Sequence, residues 1–341
     1  MGAGPNGRGG PAPGLIQELP NVAFFVIGVF PMFLSILLSS LSAHAEEPVA
    51  PSAEQPNSDI PRHRMYYESL AALRYNPLGL QQRMTIGYRM RLMDKPSDDL
   101  LFGDSYAWLG VTGIQTPAFM RVGPWARIMP IALLRLQAGY EVARYNGGLD
   151  QMLTWDDPSN VDFSDAGIES LAADGTLKAM GSVFTLEARL QAKAGPMAVR
   201  ATLARYDFSY DVEGFAFYDQ TLDILAPTEG VVTMGDFDLL YVATDQVTVG
   251  ARSSHTRSQA EFAANDSEAL RAASIDRTGV LVAYKFKSDL GSRFDQPTVY
   301  VISQWHLNHE YRAGQEVNRA MPYVAVGFAF TGDAIAWEPQ R

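Results

Sequence analysis

Leu134–Val142 reads LRLQAGYEV, and its alternation decides the fold. Leu134, Leu136, Ala138, Tyr140 and Val142 fall on one face, and Arg135, Gln137 and Glu141 on the other. A period of two marks a strand whose faces meet different surroundings. The pattern spreads along the chain. FTLEARLQA at 184–192 sets Phe184, Leu186, Ala188 and Leu190 against Thr185, Glu187, Arg189 and Gln191. MTIGYRMRL at 84–92 sets Met84, Ile86, Tyr88, Met90 and Leu92 against Thr85, Arg89 and Arg91. Phe237, Leu239 and Tyr241 oppose Asp236 and Asp238, and Val280, Val282 and Tyr284 oppose Lys285. A soluble sandwich also alternates, but here long charged side chains run through the middle of the strands. Segments of roughly 9–14 residues also match a tilted membrane crossing.

Composition agrees. The 341 residues include 17 Phe, 15 Tyr and 5 Trp, and no Cys. Zero Cys excludes a disulfide scaffold, a thiolate metal site and a thiol nucleophile. A net charge of −11, from 27 basic against 38 acidic residues, lacks the basic footprint of a nucleic-acid binder.

The N-terminal stretch NVAFFVIGVFPMFLSILLSSL, from Asn21, is apolar and runs into SAHAEE, where Ala43 and Ala45 form an A-x-A site. It reads as a secretory signal peptide over residues 1–45, cleaved after Ala45. Residues 46–64 are Pro-rich and polar and read as a disordered leader. Residues 65–81 read as a lead-in to the barrel proper at 82–330, with a tail at 331–341.

Export, alternation and long charged strands together predict an all-β fold, a closed antiparallel transmembrane barrel. Closure leaves no unpaired backbone in lipid. Short connections at Pro130–Ala132, Ala194–Pro196 and Thr244–Gln246 read as periplasmic turns. Asp94–Asp104, Asn146–Thr176, Arg257–Asp276 and His309–Ala320 read as external loops. Alternation of short and long connections predicts about ten strands, with twelve as the alternative. Ten requires Tyr106–Met129 to be one long strand. MPYVAVGFAF at 321–330 resembles the aromatic-ended last strand of Gram-negative outer-membrane barrels, which the assembly machinery reads. The resemblance implies an outer-membrane location in contact with lipid and lipopolysaccharide. It implies no particular substrate.

The inward faces supply the candidate site: Arg83, Arg89, Arg91, Arg121, Arg127 and Arg135 early, then Arg189, Arg252 and Lys285, opposed by Glu141, Glu187, Asp236 and Asp238. A basic interior in an acidic protein suits small anionic solutes, in a narrow pore or a binding site. The competing expectation is a salt-bridged plug, because buried Arg is normally paired. A closed structural or adhesive barrel with contacts through its surface loops is the alternative function, and a barrel-embedded hydrolase is a less favoured one. Tyr106, Trp108, Trp125, Tyr140, Tyr145, Tyr241, Tyr284, Trp305 and Tyr323 read as interfacial girdles. Ser303, His306 and Asn308 lie close in sequence, but neighbours on one strand do not place a nucleophile against its base. The sequence therefore predicts no enzyme, no cofactor and no metal site. The acidic residues Asp207, Asp211 and Glu213 lack calcium-loop spacing.

Overall fold

The computed structural model describes residues 61–335, apart from 94–100, 103–104, 149–151, 174, 264–268, 288–292 and 313–320. The expected signal peptide and residues 46–60 of the expected leader lie outside the described residues.

Twelve strands close into one antiparallel barrel. In chain order they are β1 (His63–Tyr75), β2 (Gly79–Arg91), β3 (Tyr106–Gln115), β4 (Phe119–Ile131), β5 (Leu134–Asn146), β7 (Lys178–Ala194) and β8 (Met197–Tyr210). The rest are β11 (Glu229–Val242), β12 (Val247–Ala263), β13 (Leu270–Lys285), β14 (Asp295–Asn308) and β15 (Tyr323–Asp333). Each pairs with its neighbours in the series, and β1 closes the ring against β15 through pairs such as Leu70 with Ala329. Three short strands stand apart: β6 (Thr154–Trp155), β9 (Ala216–Asp219) and β10 (Ile224–Pro227) form a separate sheet. Among the described residues one helix, α1 (Asp165–Ala173), lies between β6 and β7.

The count is the alternative of twelve, and two local misreadings explain the preference for ten. Tyr106–Met129 is not one strand. Thr116 reverses the chain: its amide donates to the Phe119 carbonyl at 2.9 Å, and its hydroxyl accepts from the amides of Phe119 and Ala118. Pro117 sits inside that hairpin turn, as proline does in turns, and does not interrupt a strand. The second misreading is the lead-in. Residues 63–75 form β1, so the barrel begins at His63 and not at Gln82, and it ends at Asp333 beyond the expected Phe330. β1 was hidden because its outward residues Tyr67, Ser69 and Ala71 and its inward residues Tyr66, Glu68 and Leu70 are equally mixed. Each misreading alone breaks the parity of the connections. The two together preserve it.

Two expected loops also change. β2 ends and β3 begins at the same end of the barrel as the turns at 132–133 and 195–196, so the connection between them leaves and re-enters the wall on the turn side, opposite the end where β5 gives way to β7. Arg257–Asp276 is mostly strand, because β12 continues to Ala263 and β13 begins at Leu270. The inward residues of that extension, Ala260 and Phe262, are buried, while Gln259 and Glu261 are exposed.

Register follows the sequence pattern. Leu136 is 41% exposed and Leu186 43%, on the outer surface, while Arg135 is 9% exposed and faces inward. Leu109, Leu203, Phe237, Val280 and Val301 continue the outer apolar band. On the inner wall Tyr300 is fully buried over Gly327, where a Cβ would meet its ring at 2.2 Å. Only glycine permits that approach.

A capped lumen and its arginine lattice

The inward arginines form a lattice with carboxylates on neighbouring strands. Arg127 on β4 donates to both Glu68 oxygens, at 2.8 and 3.1 Å, and through Nε to Gln137 at 3.1 Å. Arg135 on β5 donates to Glu187 on β7 at 2.7 Å, and Arg189 approaches the same carboxylate at 3.6 Å. Arg200 and Arg252 share Asp238, each with an Nε bond of 2.7 Å, and Arg252 also reaches Asp236 at 3.5 Å. These pairs exist because the period of two places every second residue of adjacent strands on one surface, where cross-strand partners meet. Buried guanidinium groups need such partners.

Four expected residues behave differently. Arg89 lies over the rings of Tyr66 and Tyr106, at 5.0 and 3.9 Å. Arg91 and Lys285 sit half-buried at the turn-side ends of β2 and β13 and do not line the central cavity. Arg83 does line it, yet makes no hydrogen bond or ion pair among the described residues, and its Nε is buried. Sequence reasoning missed Glu68, hidden in the unrecognised β1. It also missed Arg200 and Arg277, although Arg200 alternates plainly with Met197, Val199 and Ala201.

The lattice surrounds a cavity of about 150 Å³. Its walls carry seven arginines and four carboxylates, with Thr85, Thr112, Ser254 and Gln304 between them. Thr221 and Leu222 also line it, and they belong to the segment between β9 and β10.

That segment is part of a cap. The 147–177 and 211–228 connections fold together at the loop end of the barrel. Trp155, Phe163, Ile168, Phe217, Tyr218, Leu222 and Leu225 bury one hydrophobic cluster against inward wall residues Ile114, Phe119, Val183, Phe208, Val232 and Phe262. Ser164 starts α1 by accepting from the Gly167 amide at 3.0 Å, which satisfies a helix-end donor. Polar latches tie cap to wall. Arg121 on β4 donates to Asp219 at 3.2 Å, and Arg74 on β1 donates to the carbonyls of Gln220 and Thr221.

The deepest latch centres on Asp223. Its Oδ1 accepts from Tyr218 at 2.5 Å and from Arg312 Nε at 3.1 Å, and its Oδ2 lies 3.5 Å from Nε2 of both His306 and His309. Burial pushes the Asp223 carboxyl up, but Arg312 and His309 outweigh it and hold the group well below the usual carboxylate range. The amides of Tyr311 and Arg312 donate to His309 Nδ1, so its ring proton sits on Nε2, directed at Asp223. Arg312 also binds Asn76 and Asp165, joining β1's turn, α1 and the 309–312 segment. His306 thus faces the cap, while Asn308 turns outward to Ser274 and Asp276. Ser303 shares the outward register with Val301 and Trp305, so Ser303, His306 and Asn308 do not converge.

The expected aromatic girdle divides in two. Tyr140, Tyr241, Tyr284 and Trp305 are exposed on the outer surface. Tyr106, Trp108, Trp125, Tyr145 and Tyr323 point inward and are buried. Trp108 and Trp125 meet edge to face at 4.7 Å and pack with Tyr66, Tyr106 and Met129. The sequence reading failed because an aromatic at a strand end suits either face. Arg127 lies 4.4 Å from the Trp125 ring centre, so this cluster packs beside the lattice. The acidic pairs Asp236 and Asp238 are held by arginines, and Asp207 pairs with Arg205 on the outer surface.

A closed antiparallel wall, apolar outside and ionic inside, defines a transmembrane β-barrel of the outer-membrane type. Solved structures with this likeness are outer-membrane proteins. The NanC porin is 8% identical, with a TM-score of 0.34 over 80% of this chain and 100% of that one. OmpT of Vibrio cholerae, in a loop-deletion form, is 9% identical, with 0.34 over 79% and 98%. The β domain of the Bordetella autotransporter BrkA is 11% identical, with 0.37 over 80% and 99%. No protein-family profile and no curated protein sequence matches the chain. At these identities the likeness extends to the fold alone. One expectation is corrected: a closed barrel with a polar lumen is a scaffold that decides neither for nor against catalysis, so the exclusion of enzymatic activity falls.

Proposed function

We propose that the protein is a capped outer-membrane barrel whose lumen handles small anionic solutes, closed at rest and opened only when the cap moves. The observation that carries this reading is the arginine-rich cavity lying directly beneath cap residues Thr221 and Leu222. A lumen built only as a plug would have every cation neutralised, whereas Arg83 and Arg277 line the cavity without an ion pair among the described residues. Contact with lipid and lipopolysaccharide at the loop end, and assembly through β15 with its Phe328 and Phe330, belong to the same reading.

The closed structural barrel is the second reading, supported by the ion pairs that engage most lumenal arginines. Planar-bilayer recordings separate the two. The intact barrel should give little steady conductance. Replacing Phe215–Thr228 with a short Gly-Ser linker should give a steady, anion-preferring conductance. A cap-deleted barrel that is folded but silent would establish the closed structural reading instead.

A further inference from the structure

The charge around the cavity does not balance. Seven arginines and four carboxylates line it. Asp219 and Asp238 neutralise Arg121 and Arg252 from just outside the lining, and Asp238 also takes Arg200. With these counted, two positive charges remain in excess. Arg135 and Arg189 share the single Glu187, and two further lining arginines have no ion pair among the described residues. Arg83 on β2 makes no hydrogen bond or ion pair with any described residue, and its Nε is buried. Arg277 on β13 is likewise free of both, lies over the Tyr323 ring at 4.4 Å, and is 9% exposed. Two guanidinium groups without an ion-pair partner among the described residues are costly inside a membrane barrel, and Arg83 feels only the more distant charge of Glu141, so a counter-charge that joined them would stabilise both.

The size of the cavity bounds that counter-charge. A water needs only ~10–15 Å³ of such space, and a 150 Å³ apolar cavity takes up benzene. A space of about 150 Å³ therefore has room for an inorganic oxyanion together with several waters. Donors are at hand in the two arginines and in the hydroxyls of Thr85, Thr112 and Ser254.

One wall residue narrows the class further. Glu141 on β5 is 6% exposed, lines the cavity, and has neither a hydrogen bond nor an ion pair among the described residues. A carboxylate repels a fully deprotonated oxyanion. It accepts a hydrogen bond from one that still carries a proton. At neutral pH hydrogenphosphate carries such a proton and sulfate does not. The dianion also matches the excess of two positive charges.

We infer that the capped cavity is a binding site for hydrogenphosphate, with Arg83 and Arg277 supplying the charge and Glu141 selecting the protonated oxyanion over sulfate. The inference rests on the anion-handling reading of the lumen and names its ligand.

The test uses the full chain, purified in detergent, freed of phosphate and equilibrated at neutral pH and constant ionic strength. Titration calorimetry with sodium phosphate, sodium sulfate and sodium chloride reads affinity, and heat-modifiable gel migration reads folding. Saturable phosphate binding at least tenfold tighter than sulfate is expected, with no chloride binding. Arg83→Gln and Arg277→Gln should each weaken phosphate at least tenfold. Glu141→Gln is close in size and should bring sulfate and phosphate within threefold of one another, which a merely structural role would not do. Wild-type barrel that treats phosphate like sulfate or chloride overturns the inference, as does Glu141→Gln with an unchanged ratio. Failure of the site is distinguishable from failure of the function. A barrel that binds phosphate but never conducts after cap removal keeps the site and loses the conduit. One that conducts anions without preferring phosphate over sulfate keeps the conduit and loses the site.

Discussion

The wall and the cap of this barrel are built by different physics. Along the wall every second residue faces lipid, so Leu136 and Leu186 lie outside while Arg135 and Glu187 meet inside. Its order is periodic and its partners are set by strand register. The cap has no period. Its two-residue and four-residue strands and its nine-residue helix hold together only because Phe163, Phe217, Tyr218 and Leu225 find a common cluster, and because Asp223 collects partners from segments far apart in sequence. The difference implies an asymmetry open to test: the wall should tolerate loss of the cap, while the cap should not form without the wall.

The largest expected effect comes from breaking the cap at its centre. Asp223→Ala leaves Arg312 and His309 buried without their carboxylate, a loss of about 3–5 kcal/mol for a buried charged network. Limited proteolysis should then cut within 147–177 and 211–228 while heat-modifiable migration still reports a folded barrel. Joint loss of cap and barrel would break the comparison, because the two would be one cooperative unit.

The complementary variant attacks the wall. Leu136→Lys puts a charge on the lipid face, at a cost of about 2–4 kcal/mol near mid-membrane. It should impair assembly of the whole barrel. Gln137→Lys, one residue along, faces inward opposite Glu187 and should assemble far better, although it gives up the bond from Arg127. Equal behaviour of the two would contradict the register.

The smallest effect sharpens the contrast within the cap. Ser164→Ala removes the side-chain acceptor at the start of α1, worth about 1 kcal/mol. Proteolysis at 147–177 should quicken several-fold, with no change in barrel migration.

The same division explains what the sequence made legible. The barrel class, the register and the lattice residues Arg127, Arg135, Glu187, Arg189, Asp236, Asp238 and Arg252 follow from period two. β1 escaped notice because Glu68 and Arg74 share an inward face with Tyr66, Leu70 and Ala72, so no polar stripe stands out. The β3–β4 hairpin is hard to read because Pro117 looks like a break within one long strand, whereas Thr116 makes the segment a turn. The cap was illegible for a deeper reason. Nothing local in AFYD or ILAP announces that they pair with each other and plug a barrel mouth, since their burial comes from the wall around them. His306 and His309 were noticed, but their meeting with Asp223 required a partner more than eighty residues away.

The central claim is that the cap closes the lumen over the arginine cavity, and a single thiol tests it most directly. The chain has no cysteine, so Ser254→Cys introduces the only one, at a buried position on the cavity wall. The rate of reaction with a charged, membrane-impermeant maleimide should be measured in the folded barrel with the cap intact and with Phe215–Thr228 replaced by a linker. The account predicts slow labelling under the intact cap and labelling at least a hundredfold faster without it. Equally fast labelling in both would mean that the lumen is open at rest and that the cap closes nothing.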